Sequence, residues 1–369
     1  MKILLVSPYF IDSYKNNISM GSAVKLAFSL SRVAEVTVLT SGRKLGKEVF
    51  NKNLTVLSSR GFLIPDPINY MISISLLIRF WRLVKEIKPE IVIVSKYMFF
   101  SSFVIPIAKL LRVPVITVTD TFPGINWFSV SKFASAIMWL YARLIGIPLL
   151  KVSDKVVLLY EGLEPIAQKY GLKHVTIHNG VDSKYFEKLD IPTDIKKNKN
   201  EFWVGFVGRP ESAKGYDQVL KMAKYLTKYK DMKIVLVGGK SEYKEEENKI
   251  FLGFRKDIMN IYQLFDVLVL PSHAEGLPNV AMEAMSQGVP VIGNRVGGVE
   301  RLIKNMVNGV LVNPGNVEEM EKAILRLKQK NRLRKELGVN AKQTIFNDFN
   351  WDKIVKDYFS LINKIICAE

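Results

Sequence analysis

The sequence predicts an α/β protein made of two successive halves, each a parallel sheet wrapped by helices. Short apolar runs alternate with helix-period segments along most of the chain, which is the pattern of repeated βαβ units. The pattern breaks in a stretch rich in Lys, Asn and Asp, residues 190–200, and then restarts. A length of 369 residues suits two domains, and an apolar content of 48% is ample for their cores.

Residues 2–6 read as a buried first strand, 7–21 as a polar loop and 22–31 as a helix, with Val24, Ala27, Phe28 and Leu30 at helical spacing. Residues 35–40 complete the opening βαβ. The first loop ends at Gly21-Ser22, where a helix start could meet a phosphate or an acceptor; a plain helix-entry glycine is the other reading. Strands follow at 53–57, 90–94, 114–118, 154–159 and 175–178, and helices at 70–87, 97–111 and 162–170. The strand at 114–118 leads into Thr119-Asp120-Thr121, so Asp120 stands at a strand end. Trp127, Phe128, Phe133, Trp139 and Tyr141 follow, mixed with Lys and Arg, as in an interfacial membrane-binding surface. Buried helix packing explains part of the same residues. Residues 190–200 read as a solvated linker holding the domain boundary.

The second half opens with a strand at 202–207, the glycine-edged loop Gly208-Arg209-Pro210-Glu211-Ser212-Ala213-Lys214-Gly215 and a helix at 216–227. Strands at 232–237, 250–253, 267–270, 289–293 and 310–312 follow, with helices at 256–265, 317–329 and 351–366. Residues 241–249 read as a charged, solvated loop. Arg209 and Lys214 share one strand-to-helix loop at the C-terminal edge of the sheet, where open α/β sheets bind ligands. A guanidinium fork beside a point charge suits a diphosphate. The spacing is not that of a Walker loop.

The segment from Glu275 to Glu283, Glu-Gly-Leu-Pro-Asn-Val-Ala-Met-Glu, follows an apolar run and the breaker Pro271-Ser272. It reads as loop then helix, with Pro278 suited to the first helical turn. No Ser, Thr or Asp occupies the expected N-cap, so backbone N–H groups are left to meet an anion. Gly276 leaves room for close approach. A phosphate at the helix mouth, with Glu275 and Glu283 binding hydroxyls, fits a nucleotide sugar. A capped βα unit with two solvated glutamates fits the segment equally.

Net charge is +18. Residues 1–160 carry 20 Lys and Arg against 8 Asp and Glu. That imbalance suits an anionic partner, either acidic lipid or nucleic acid, or simply solubility. The anion-binding loops lie singly at sheet edges and no recognition motif is present, so nucleic acid is not expected. Cys367 is the only cysteine and the three histidines lack ligand spacing, so neither disulfides nor a metal site are expected. The N-terminal apolar run is too short for a signal peptide. No apolar run reaches the roughly 18 residues of a membrane span; residues 133–150 come nearest but contain Arg143 and Pro148.

These pieces together resemble the retaining glycosyltransferases called family 4, of the GT-B fold. The matching residues are Val207-Gly208-Arg209, Lys214-Gly215, Leu252-Gly253, Pro271-Ser272, Glu275 with Glu283, Gly288-Val289-Pro290-Val291, Gly297-Gly298 and Asn179-Gly180-Val181-Asp182. The resemblance spans nearly the whole chain and is sharpest in the second half. It implies two Rossmann-like domains facing each other across a cleft. Residues 1–190 would form the acceptor side and 191–350 the nucleotide-sugar side, with a helix at 351–369 packing back toward the first domain. Arg209 and Lys214 would hold the donor's diphosphate, Glu275 the sugar hydroxyls and Glu283 those of the ribose. The N–H groups of Gly276 and Leu277 would meet phosphate, and no divalent metal is implied. Phe254 and Arg255, after Gly253, would line the base pocket.

The first half departs from the family pattern. Met20-Gly21-Ser22 stands where many members have paired glycines. Thr119 stands where many have a histidine, and residues 1–173 contain none. Asp120 is the nearest carboxylate and the candidate base, with a residue that only caps the loop as the equal alternative. The expected activity is retaining, metal-independent transfer of a hexose-type sugar from a nucleoside-diphosphate sugar to a saccharide acceptor, in glycan or polysaccharide assembly. The acceptor is expected to be lipid-linked and the protein cytoplasmic, docked peripherally on an anionic membrane. The donor is a substrate and no cofactor is expected. The alternative is a GT-B-fold sugar-nucleotide epimerase.

Overall fold

A computed structural model of the chain describes residues 1–8, 22–42, 44–64, 70–95, 101–126, 132–187, 189–239 and 243–367. It divides into two compact units, Met1–His178 with Ile354–Glu369, and Asn179–Lys353. The division therefore falls before residue 190, and residues 179–190 group with the second unit. Most of the C-terminal helix Trp351–Ile366 groups with the first.

The strands of the first unit are β1 (Lys2–Ser7), β2 (Glu35–Gly42), β3 (Gly46–Asn51), β4 (Leu54–Arg60), β5 (Phe62–Ile64), β6 (Tyr70–Ile72), β7 (Ile91–Ser95), β8 (Val115–Thr119), β9 (Lys155–Leu158) and β10 (His174–Thr176). Eight of them form one sheet in the order β10-β9-β8-β7-β1-β2-β4-β3. Every pairing is parallel except β3 with β4. The central strands are β-branched and buried on both faces, as a parallel sheet covered by helices requires.

Residues 46–51 form an edge strand that the sequence did not suggest, and one expectation is corrected: residues 70–72 are not helical but pair with β5. The helix begins at Ile74 because Ser73 caps it, its side chain accepting from Leu76 N at 3.3 Å.

The second unit contributes β11 (Phe202–Val207), β12 (Met232–Val237), β13 (Lys244–Glu246), β14 (Lys249–Gly253), β15 (Val267–Leu270), β16 (Val291–Asn294) and β17 (Gly309–Val312). They run in the order β13-β14-β12-β11-β15-β16-β17, with only β13 antiparallel. The charged segment expected to be a loop is therefore partly the edge strand β13. A helix over Asn331–Asp348, not expected from the sequence, buries Leu337, Ala341 and Ile345 at four-residue spacing.

Residues 190–200 are largely solvent-exposed, as expected, but they are seated on the second unit. Ile195 is buried in the core that holds Trp203, Tyr262 and Leu264. Asp194 pairs with Arg255, whose Nη2 lies 3.1 Å from Asp194 Oδ1. Lys197 Nζ donates to Asp266 Oδ2 at 2.6 Å and to Leu264 O at 2.8 Å. The composition is polar, but Asp194 and Lys197 find opposite charges on the unit and one aliphatic side chain anchors it.

Among the described residues, Lys132–Val152 is the one helical stretch long and apolar enough to cross a membrane by length and composition, with mean hydropathy 1.6 and 39% of it buried. Arg143 and Pro148, read as interruptions, do not break it. It runs as an α-helix over Lys132–Tyr141, widens to a π-helix over Ala142–Gly146 and resumes as α over Ile147–Val152. Proline's ring clashes with the carbonyl four residues back in an α-helix, and a π turn just before it relieves that crowding.

Candidate donor-binding site

In the second unit β11 lies between β12 and β15, pairing in parallel with both. The chain winds from β11 to one side through β12 and to the other through β15. The gap between β11 and β15 is therefore the switch point at which open α/β sheets bind ligands beyond their carboxyl ends. The loop carrying Arg209 and Lys214 leaves β11, and the loop carrying Glu275 leaves β15, so the topology brings together the two stretches singled out in the sequence.

The loops are fixed against each other by backbone. His273 N donates to Ala213 O at 3.1 Å. Gly215 sits at φ +72°, and a Cβ there would stand 2.1 Å from Pro271 O, so only glycine fits. Gln218 Nε2 lies 3.4 Å from Pro271 O and 3.2 Å from His273 Nε2. A third loop, after β16, presses on the same turn. Gly298 N donates to Glu275 O at 3.3 Å, and Asn294 Nδ2 donates to Ser272 O at 3.2 Å.

On this frame Lys214 Nζ donates to Glu275 Oε1 at 2.8 Å, and the buried Ser272 hydroxyl donates to the same oxygen at 2.8 Å. Glu275 keeps 12% side-chain exposure and Lys214 34%, so both border solvent without being fully solvated. Arg209 is exposed and pairs with Glu211 on its own loop, Nη1 to Oε1 at 2.9 Å.

The helix after the Glu275 loop spans Asn279–Ser286. Pro278 is its cap residue, in extended backbone, and not part of the first turn. No side chain caps this end, and the N–H groups of a helix start favour an anion. Gly276 and buried Leu277 lie immediately before it. Glu283 is 5% exposed and accepts from the Tyr262 hydroxyl at 3.1 Å. Burial, and next the Glu283 carboxylate beside it, push the Tyr262 hydroxyl well above its ordinary range. The reading of two solvated glutamates is thereby excluded.

The base-pocket expectation is altered at Arg255. Its guanidinium is clamped by Asp194 and by Asp257, with Nε to Asp257 Oδ1 at 2.8 Å, and both carboxylates raise its pKa. A charge neutralised twice is a structural tie, so the Arg255 guanidinium is held by the protein's own carboxylates. Phe254 beside it is exposed.

In the first unit Asp120 follows β8, partly buried, with Thr121 Oγ1 3.5 Å from its Oδ1. Burial first, and then Asp120, push the Tyr160 hydroxyl up. His178 Nε2 lies 3.2 Å from Glu161 Oε1, a pairing the sequence did not suggest. Gly21, Trp127 and Phe128 lie outside the described residues. Among the described residues no group of three or more His, Cys, Asp or Glu side chains could hold a metal ion.

Two parallel-sheet units, the second carrying paired cation and carboxylate loops at its switch point, define the GT-B class of α/β proteins. Residues 22–185 match the family model for Glycosyltransferase Family 4, and residues 187–344 the model for Glycosyl transferases group 1. The chain belongs to this family of group 1, family 4 glycosyltransferases. It is 30% identical over 214 residues to the UDP-Gal:alpha-D-GlcNAc-diphosphoundecaprenol alpha-1,3-galactosyltransferase of Escherichia coli, covering 52% of this chain and 55% of that protein. The chain spans about half the length of several of the curated relatives it matches. Among solved structures it resembles sucrose-phosphate synthase from Thermosynechococcus elongatus, with TM-score 0.78 and 18% identity over all of both chains. It also resembles Anabaena HepE in complex with UDP and glucose, with TM-score 0.75 and 17% identity over 99% of this chain and all of that one. These two likenesses concern the fold.

Proposed function

We propose that the chain transfers a hexose-type sugar from a nucleoside-diphosphate sugar to a saccharide acceptor, with retention at the anomeric carbon and without a divalent metal. The observation that carries this is the Lys214–Glu275 pair at the switch point, beside an uncapped helix start. Lys214, Arg209 and the helix end supply positive field for a departing diphosphate, and such preorganised groups act most strongly where charge develops. Glu275 serves sugar hydroxyls and Glu283 the ribose. Asp120 is the acceptor-side carboxylate of this reading.

The acceptor we propose is lipid-linked, in glycan or polysaccharide assembly, with the protein cytoplasmic and docked on an anionic membrane. The printed name of the Escherichia coli relative, a transfer to a diphosphoundecaprenol-linked sugar, supports this. That name, like those of most of the other relatives, describes transfer, which favours transfer over the epimerase alternative. The test is a thermal-shift titration with UDP, GDP and ADP sugars, then transfer by the stabilising donor with EDTA present and the product anomer read by NMR. A true donor at about a hundred times its Kd stabilises by roughly 2.7 kcal/mol. No shift with any of the three, or loss of transfer in EDTA, overturns the corresponding part.

A further inference from the structure

The helical stretch Lys132–Val152 has a buried side and a bare side. Ala134, Met138, Tyr141, Ala142, Ile147 and Leu150 are buried. Phe133, Ile137, Leu140 and Leu144 recur at three- and four-residue spacing and are 76%, 38%, 51% and 66% exposed. Such a stripe of large apolar side chains marks an interaction surface. Residues 132–152 contain no Asp or Glu; their charges are Lys132, Arg143 and Lys151.

A cavity of about 590 Å³ opens beside the C-terminal part of this stretch, lined by Arg143, Ile147, Pro148, Lys151, Lys169 and Tyr170. Its charged groups are all cations. The Arg143 guanidinium stacks over the Trp139 ring at 4.1 Å, and Lys169 lies 5.9 Å from the Tyr170 ring centre. Aromatic faces hold cations by their quadrupole, so these charges are positioned without being neutralised.

We infer that Lys132–Val152 is an interfacial helix and that the adjoining cavity takes the phosphate headgroup of an anionic phospholipid. An apolar stripe and a cationic cavity side by side match the two parts of that one molecule. A soluble phosphate would have no use for the stripe. A helix crossing the bilayer would have to give up the contacts that bury Met138, Tyr141 and Leu150. Docking here would bring a lipid-linked acceptor to the protein; the inference rests on the membrane docking proposed above and names the surface and headgroup that would serve it.

The test is co-sedimentation of the full chain with vesicles of phosphatidylcholine, with and without phosphatidylglycerol, across a salt series. The wild type is expected on the mixed vesicles at low salt and in the supernatant at high salt. The variant Arg143→Gln/Lys151→Gln/Lys169→Gln should lose on the order of a hundredfold in partition, about fivefold for each cation close to the surface. Leu140→Gln/Leu144→Gln, at exposed positions, should lose mixed-vesicle binding as well. Lys221→Gln/Lys224→Gln/Lys322→Gln removes the same charge from the second unit and should bind as the wild type does. Equal loss in the two triple variants, or full binding by the leucine variant, overturns the inference. Release by inorganic phosphate at constant ionic strength would indicate a soluble-phosphate site, and resistance to carbonate extraction a span; either also overturns it. Donor-induced thermal shift should be unchanged in every variant, so failure of docking and failure of the donor site are told apart.

Discussion

Lys214 donates to Glu275 at 2.8 Å across two loops that leave neighbouring strands. In the proposed reaction this pair is exchanged. A diphosphate at the loop draws Lys214 to itself, and the Glu275 carboxylate turns to sugar hydroxyls.

Deleting either donor-side cation should therefore act on turnover. Lys214→Ala and Arg209→Ala are each expected to fold and to lose about 10²–10³ in kcat/KM, the usual cost of one preorganised charge-stabilising group. Steady-state transfer kinetics check this. Near-wild-type rates in both would move the donor site away from this loop.

The two glutamates should fail differently. Glu275→Gln should reduce turnover more than affinity for the free nucleoside diphosphate, and Glu283→Gln should weaken that affinity. Glu283→Ala should also cost about 1–3 kcal/mol of stability, because it removes a buried acceptor of the Tyr262 hydroxyl. Calorimetric titration with the nucleoside diphosphate separates the roles, and equal effects of the two Gln changes would contradict them.

Alkaline pH should loosen the second unit through Tyr262. Its folded pKa lies above the ordinary 10.0, so the neutral hydroxyl stabilises the fold. That contribution is full below pH 10 and is lost as pH climbs through the raised folded value. Tyr262→Phe cannot ionise, so its Tm should fall less steeply than the wild type's above pH 10. Parallel curves in a melting series would argue against the buried pair.

Gly297 should tolerate no side chain. It sits at φ +50°, and a Cβ would stand 1.9 Å from Glu275 O. Gly297→Ala should cost at least about 1–2 kcal/mol for the left-handed backbone and should displace the Glu275 turn, lowering turnover. A variant with wild-type Tm and wild-type rate would show that the third loop does not hold that turn.

Elements with strong local signals were legible in the sequence. The helix Val317–Gln329 was read to the residue, its start set by Asn316, which accepts from Glu319 N at 3.0 Å. The helix Asn331–Asp348 was missed because Leu337, Ala341 and Ile345 are its buried apolar anchors, set among charges. The edge strands β3 and β13 are defined by their pairing with a neighbour, which no local pattern displays. In the site, Lys214 and Glu275 could be named because both stand on strand-to-helix loops. Ser272, which donates to Glu275, stands on the same loop, and the support from Gln218 and Asn294 comes from packing between loops. The clamp on Arg255 is hidden for the same reason, since Asp194, one of its two carboxylates, lies 61 residues away in sequence.

The seating of residues 190–200 on the second unit bears on how the chain can be cut. A fragment starting at residue 201 would discard Ile195 and strip Arg255 and Asp266 of the ion partners Asp194 and Lys197. It would leave a hole in the core and take one of two ion partners from each of Arg255 and Asp266, which keep only Asp257 and Arg334. Expression of the second unit by itself should begin at Asn179 and retain the Val181 bridge to Asn350. Native-state proteolysis should be slower between Asp194 and Lys197, where the segment is pinned, than at the exposed residues on either side, and a cleavage map made under native conditions would show the difference.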